Sequence, residues 1–274
     1  MLYSEGTFKS GGQLDLFYRA WLPEAGREAR AVIAVVHGAG EHSGRHANLG
    51  RIFAEQGYAV FAYDLRGHGR SPGRRGHVAR FAEYINDTGS FLDFIRRQNP
   101  EKKVYLLGHS LGGLIAASYV LEPIQLSGLI LSSPLMRIKM HVPGWKTAIG
   151  QIASHLMPAL TMKSGLPAAD LCRNPEVGIN YRQDPLVHDL ATVRFYTEML
   201  SAQSRALAHA GELKVPLLVL YGSGDRIVDP ASVRLFYDKA GSVKTIRCYA
   251  GFFHEIFNET DSQIVFEDVL GWLK

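Results

Sequence analysis

The sequence predicts an α/β fold, a mostly parallel central sheet flanked by helices, and two observations predict it. Short runs rich in Val, Ile and Leu recur at 31–36, 58–63, 104–107, 126–131, 215–221 and 245–249. They are apolar throughout, as strands buried on both faces of a parallel sheet must be. Between most of them lie stretches with apolar spacing of three and four, at 46–56, 81–97, 111–121, 230–240 and 262–273. Strand alternating with helix means βαβ units, right-handed crossovers and three layers. Ligands of such sheets bind outside the carboxyl ends of the strands, so the loops that follow strands are where chemistry is expected.

Residues 3–21 alternate polar and apolar around Gly11-Gly12, which predicts an opening antiparallel hairpin. One gap breaks the later rhythm. Residues 134–211 hold no convincing strand. Trp145, Ile149, Ile152, Leu156 and Leu160 instead form an apolar helical stripe, and Pro158 predicts a kink or break in it. An insertion of this size between two late strands reads as a helical cap, or lid. The expected division is a core of residues 1–133 and 212–274 with a cap subdomain of 134–211. The stripe would line a tunnel over the site and touch membrane lipid, or only pack on the core.

With 274 residues, 46% of them hydrophobic and 20% charged, the chain can bury a sizeable core. The formal net charge is +4. Apart from a short Arg-rich stretch at 70–80, the cations are scattered. No basic stripe with interleaved aromatics argues for nucleic acid. The N-terminus lacks the apolar core of a signal peptide, and no apolar run reaches the roughly 18 residues a membrane span needs. The expectation is a cytoplasmic protein with room for peripheral membrane contact through the cap. Cys172 and Cys248 lie far apart. They read as two free buried thiols rather than a disulfide.

The first chemical motif is Gly108-His109-Ser110-Leu111-Gly112, followed by Gly113. It stands between the strand-like KKVYLL and the helix-like LGGLIAASYVL. That context, more than the letters, marks a nucleophile elbow, the tight strand–turn–helix that projects a serine at a helix N-terminus. A serine needs a base to take its proton. On folds of this kind the triad runs Ser, acid, His. Of 11 histidines, only His254 lies beyond the last acid loop. The acid is Asp225, just after the run 215–221. Its rival Asp229 precedes Pro230 at the start of a helical stretch, an N-cap signature, and is assigned to structure.

The second motif, His37-Gly38-Ala39-Gly40-Glu41-His42-Ser43-Gly44, directly follows the run 31–36. Its glycines allow close backbone approach to a substrate oxygen. The N–H groups of Ala39 and Leu111 are the expected oxyanion hole. The third, Asp64-Leu65-Arg66-Gly67-His68-Gly69-Arg70-Ser71, matches neither nucleotide fingerprint and reads as a tight structural loop beside the site. His42 and His46 are four apart, but without an HExxH pattern or a third ligand no metal is expected, and no cofactor is implied.

Together these residues resemble the monoacylglycerol lipases, within the wider group of α/β-hydrolase serine hydrolases that includes lysophospholipases and S33-type aminopeptidase-like enzymes. The strings HGAGEHSGR (37–45), GHGRS (67–71), GHSLGG (108–113), QDPL (183–186), GSGDRIVD (222–229) and HEIFNE (254–259) fall in family order. The resemblance implies hydrolysis of a small lipid ester through an acyl-enzyme on Ser110. It supports Ala39 and Leu111 as oxyanion donors and implies that Tyr181 lies near the glycerol end of the pocket. The family's Met after the nucleophile is Leu111 here, and the cap matches poorly over 134–164. A lysophospholipase, a short- or medium-chain carboxylesterase or a thioesterase on the same triad is the alternative. A ligand-binding protein that keeps the fold but turns over slowly is the remote one.

Overall fold

The computed structural model describes all residues except 12, 122–123, 140–143 and 274, with the backbone alone for 144–149. An eight-stranded sheet has the order β1-β2-β4-β3-β5-β6-β9-β10. Strands β1 (Leu2–Lys9) and β2 (Asp15–Leu22) form the expected antiparallel hairpin, with Leu2 opposite Leu22 and Lys9 opposite Asp15; Gly12, half of its expected turn, lies outside the described residues. Strand β2 pairs antiparallel with β4 (Ala59–Tyr63). From there β3 (Val32–Val36), β5 (Val104–His109), β6 (Gly128–Ser132), β9 (Leu217–Gly222) and β10 (Lys244–Tyr249) add in parallel.

Every residue of β3, β4, β5, β6 and β9 is buried, so these strands carry Val, Ile and Leu on both faces. β10 departs from the expectation. It is an edge strand, half-buried to exposed over Lys244–Cys248, and Cys248 is exposed while Cys172 is buried; both are free thiols. The edge position leaves one side of β10 without a neighbouring strand, which is why its apolar letters do not imply burial.

Helices cover both faces. One layer includes α2 (Ala82–Gln98) and α3 (Leu111–Tyr119), the other α1 (Ala47–Glu55) and α8 (Gln263–Trp272). Their buried side chains fall into two clusters. One includes Phe91, Ile95, Leu114 and Leu106; the other includes Phe53, Phe266, Leu107 and Ile130. Burial of this kind, at about 25 cal/mol per Å² of apolar surface, is what holds the three layers together.

Between β6 and β9 lie α4 (Gly144–Leu156), α5 (Pro175–Gln183) and α6 (Val193–His209), with α7 (Pro230–Lys239) following β9. This stretch also contains two three-residue strands that the sequence pattern does not reveal, β7 (Thr161–Lys163) and β8 (Leu190–Thr192), paired antiparallel. Helix α4 stops before Pro158, as that proline requires. The described part of the expected stripe does not face inward. Ile152, Leu156 and Leu160 are 63%, 77% and 43% exposed; the side chains of Trp145 and Ile149 lie outside the described residues. Among the described residues no helix is long and apolar enough to cross a membrane.

The loop 64–71 is structural in its contacts. Asp64, fully buried at the end of β4, accepts from the Ser43 amide at 2.8 Å, the Ser43 hydroxyl at 2.5 Å and the Arg70 amide at 2.7 Å. Arg19 on β2 stands 3.4 Å away. One carboxylate therefore joins β2, the turn after β3 and its own loop. Removing it leaves two amides and the Ser43 hydroxyl without their acceptor and takes the counter-charge from Arg19, which keeps Ser43 Oγ at 2.5 Å. The Asp64→Ala variant should lose about 3–5 kcal/mol of stability, read as a lower denaturation midpoint in guanidinium chloride.

Candidate functional site

The carboxyl ends of β3, β5, β6 and β9 open on one edge of the sheet, and the candidate residues are built there. Strand β5 ends at His109 and α3 begins at Leu111, so Ser110 alone makes the turn. Its φ of 53° and ψ of −116° lie where L-residues are strained. The turn is feasible because the glycines around it let backbones touch. A Cβ on Gly112 would lie 2.1 Å from the Val36 carbonyl oxygen, and one on Gly108 would lie 2.3 Å from that of Gly112. The Ser110 amide donates to Ser132 O at 3.0 Å, and its carbonyl accepts from Leu135 N at 2.9 Å.

Asp225 follows β9 and His254 follows β10. The His254 Nδ1–H donates to Asp225 Oδ2 at 2.7 Å, and both side chains are 2% exposed. The other carboxylate oxygen of Asp225 accepts from the amides of Ile227 at 2.8 Å and Val228 at 2.9 Å. Three donors thus fix one carboxylate, and it in turn fixes the tautomer of the imidazole, leaving Nε2 as the free basic atom. Burial alone would depress the His254 imidazolium, but the adjacent Asp225 charge and hydrogen bond outweigh it, so the group titrates above its ordinary value. Burial likewise works against ionised Asp225, and the His254 contact and the two amides hold it below the usual carboxylate range. Asp229 has the structural place expected of it, accepting from Ala231 N as the cap of α7 with Pro230 in the first turn.

Ser110 and His254 line one cleft of about 230 Å³, with Gly38, Ala39, Tyr181 and Leu171 among its walls. Leu111 is the first residue of α3, so its N–H has no partner within the helix. Ala39 belongs to the loop that follows β3. The structure therefore brings Ser110, His254, Asp225, Ala39, Leu111 and Tyr181 to one end of the sheet.

Three charged residues that the sequence reading left without a role belong to the same wall. Glu41 is buried, accepts from Gly38 N at 2.5 Å and stands 3.2 Å from His46 Nε2 and 3.3 Å from Arg45 Nε. Arg45 in turn makes a two-pronged bond to Glu255 at 2.7 and 2.8 Å, and its guanidinium lies 4.8 Å over the Tyr181 ring. Burial works against ionised Glu41, yet the hydrogen-bonded His46 and the Arg45 guanidinium hold it well below the usual carboxylate range. Burial, then the Glu41 charge, pushes the Tyr181 phenol up. The available signal was the pattern itself: two acids and an arginine inside apolar, glycine-rich strings, where solvent exposure could not be their purpose.

The loop after β3 is also tied to the stretch between β6 and β9. His42 Nε2 is 2.8 Å from Asp184 Oδ2, and His188 N donates to Gly40 O at 2.9 Å. Gly40 has φ +75°, and a Cβ there would meet the His188 carbonyl oxygen at 2.4 Å.

Comparison with known proteins agrees with this architecture. The family model described as serine aminopeptidase, S33 matches residues 27–261. A monoacylglycerol lipase of Mycolicibacterium smegmatis is 31% identical over 98% of this chain and 96% of its own. Phospholipase YtpA of Bacillus subtilis is 34% identical over 90% of this chain and 96% of its own. The crystal structure of a Paleococcus ferrophilus monoacylglycerol lipase superposes with a TM-score of 0.84 at 32% identity, covering 94% of this chain and 98% of that one.

The His254–Asp225 contact makes a quantitative expectation. In an NMR titration, His254 should protonate with a midpoint above about 6.5. In Asp225→Asn, burial is opposed only by the smaller influence of Glu255 and Glu41, and the midpoint should fall below that value.

Proposed function

The chain belongs to the serine aminopeptidase S33 family of α/β-hydrolases and is a serine ester hydrolase, and from that premise we propose that it cleaves monoacylglycerols to glycerol and free fatty acid. The observation that carries the reading is the shared cleft, whose lining includes both a strained serine at a strand end and an imidazole already bonded to a buried carboxylate. Similarity to monoacylglycerol lipases along nearly the whole chain supports the choice of ester.

In this reaction Ser110 Oγ attacks the ester carbonyl while His254 Nε2 takes its proton. The N–H groups of Ala39 and Leu111 receive the charge that develops on the carbonyl oxygen. One such donor is typically worth about 10²- to 10³-fold in rate. The C–O bond breaks as His254 returns the proton to the departing glycerol oxygen. A water, deprotonated by His254, then hydrolyses the acyl-enzyme and frees Ser110. Asp225 holds the imidazole in the required tautomer throughout. Tyr181, against Arg45, borders the end of the cleft that suits a polyol.

Residues 134–211 act in this reading as a cap over a core of 1–133 and 212–274. Its outward row of Ile152, Leu156, Met157, Leu160 and Met162, each 43% to 77% exposed, suits a membrane surface, where monoacylglycerols reside. The two unpaired thiols suit a cytoplasmic location. The similarity to a phospholipase keeps lysophospholipid as the second substrate.

The test is initial-rate hydrolysis of a monoacylglycerol series of varied chain length. Wild type should cleave the series, and Ser110→Ala should lose at least about 10⁴-fold. Activity run against pH should rise through the His254 midpoint, because only neutral imidazole accepts the proton. Wild-type cleavage of lysophospholipids or p-nitrophenyl esters without monoacylglycerols would reject the substrate while keeping the machinery. For the membrane contact, Ile152→Asp combined with Leu156→Asp should markedly reduce co-sedimentation with phosphatidylcholine–phosphatidylglycerol vesicles and leave hydrolysis of a water-soluble ester unchanged.

A further inference from the structure

Among the described residues, three that are not glycine adopt a positive φ: Gln13, Ser110 and Ser133. Gln13 lies between the paired strands of the opening hairpin, where such backbone is common. Ser133, with φ 43°, is different. It follows β6, is fully buried, and stands one strand away from Ser110. Backbone strain at a buried position persists only where the surroundings over-determine it, and the bonds around Ser133 do so.

Its amide donates to Leu220 O on β9 at 2.8 Å. Its hydroxyl donates to the backbone carbonyl of His254 at 2.8 Å. The residues on either side grip the elbow from the other direction: Ser132 O accepts from the Ser110 amide at 3.0 Å, and Leu135 N donates to the Ser110 carbonyl at 2.9 Å. One short turn, 132–135, therefore holds the elbow by both backbone groups and the His254 residue by its carbonyl. His254 sits on a loop past the edge strand β10, far from Ser110 along the sheet order; the bond to Asp225 restrains its ring, and its carbonyl has one local donor besides Ser133, the amide of Ile256 at 3.2 Å.

We propose that Ser133 is a positioning residue that sets the spacing of the His254 imidazole from the Ser110 hydroxyl, an inference that rests on the roles given to those two residues above. The Ser133 hydroxyl, carried on this left-handed backbone, reaches the His254 carbonyl. The hydroxyl touches neither substrate nor the reacting atoms. It acts through the backbone of the base, in a geometry where a displacement near 1 Å costs about 100-fold in rate.

Ser133→Gly separates this role from a merely structural one, because glycine is at home at φ 43° and the variant keeps the fold while losing the hydroxyl. With p-nitrophenyl butyrate, kcat should fall about 10- to 100-fold with KM within about twofold of wild type, while the thermal midpoint stays the same or rises. The downfield proton resonance of the His254 Nδ1–H should broaden. Ser133→Cys, which keeps the shape and a weaker donor, should fall between wild type and Ser133→Gly. A folded Ser133→Gly with wild-type kcat would overturn the inference, as would a Ser133→Cys no better than Ser133→Gly. Ser110→Ala in the same assay keeps the two readings apart. If it is silent while Ser133→Gly is unimpaired, this inference alone fails; if it remains active, the site reading fails and takes this inference with it.

Discussion

A helix that starts one residue after a strand ends leaves room for nothing but backbone, and the rest of this molecule is arranged around that constraint. Gly112 lies so close to the end of β3 that any Cβ would overlap the Val36 carbonyl. The approach lets α3 begin directly behind Ser110, with Leu111 as its first residue. It also brings the loop after β3, with Ala39 and Glu41, alongside the elbow. The polar residues that surround the opening then have to be satisfied internally, since the sheet and its helices exclude water. Asp64 does this for one loop and Glu41 for another, each by collecting several donors on one carboxylate.

The electrostatics follow from the same enclosure. A carboxylate removed from water is unstable unless surrounded by donors. Asp225 has two amides and an imidazole, and Glu41 has an amide, an imidazole and a guanidinium. His254 is the beneficiary in one case, its proton affinity raised against the effect of burial. The Arg45 chain connects the other to Glu255, the residue that follows His254. The two charged groups thus meet on consecutive residues of one loop, and both sides of that loop are held.

Much of this was readable in the amino-acid sequence, for physical reasons. Strands buried on both faces must be apolar without interruption, so β3, β4, β5, β6 and β9 announce themselves. An elbow needs small residues around its serine, and GHSLGG supplies them. The misses have equally plain causes. β7 and β8 are three residues each and depend on a partner 27 or more positions away, so no local pattern marks them. Thr245–Tyr249 carries core-like letters but occupies the sheet edge, which only the strand order reveals, and Cys248 is exposed for the same reason. The stripe of α4 and the residues after it had the spacing of an inward face, yet periodicity gives a face without saying which way it looks. Ser133 was invisible because its significance lies in a backbone angle and in a carbonyl 121 positions away.

The bonds from His42 to Asp184 and from Gly40 to His188 bear on how such a chain can change over time. The stretch between β6 and β9 is not a detachable accessory laid over a finished enzyme. Its return segment supplies partners to the very loop that carries Ala39. Excising 134–211 would strip that loop of its supports, so a minimal version of this protein cannot be made by simple truncation. Variation in length is tolerable on the outward side, around α4, whose described bonds run to α6 and to Arg74 rather than to the loop after β3. Between Tyr181 and Thr192 it is not, and diversification of what the protein accepts should accumulate on the first side of the insertion and leave the second in place.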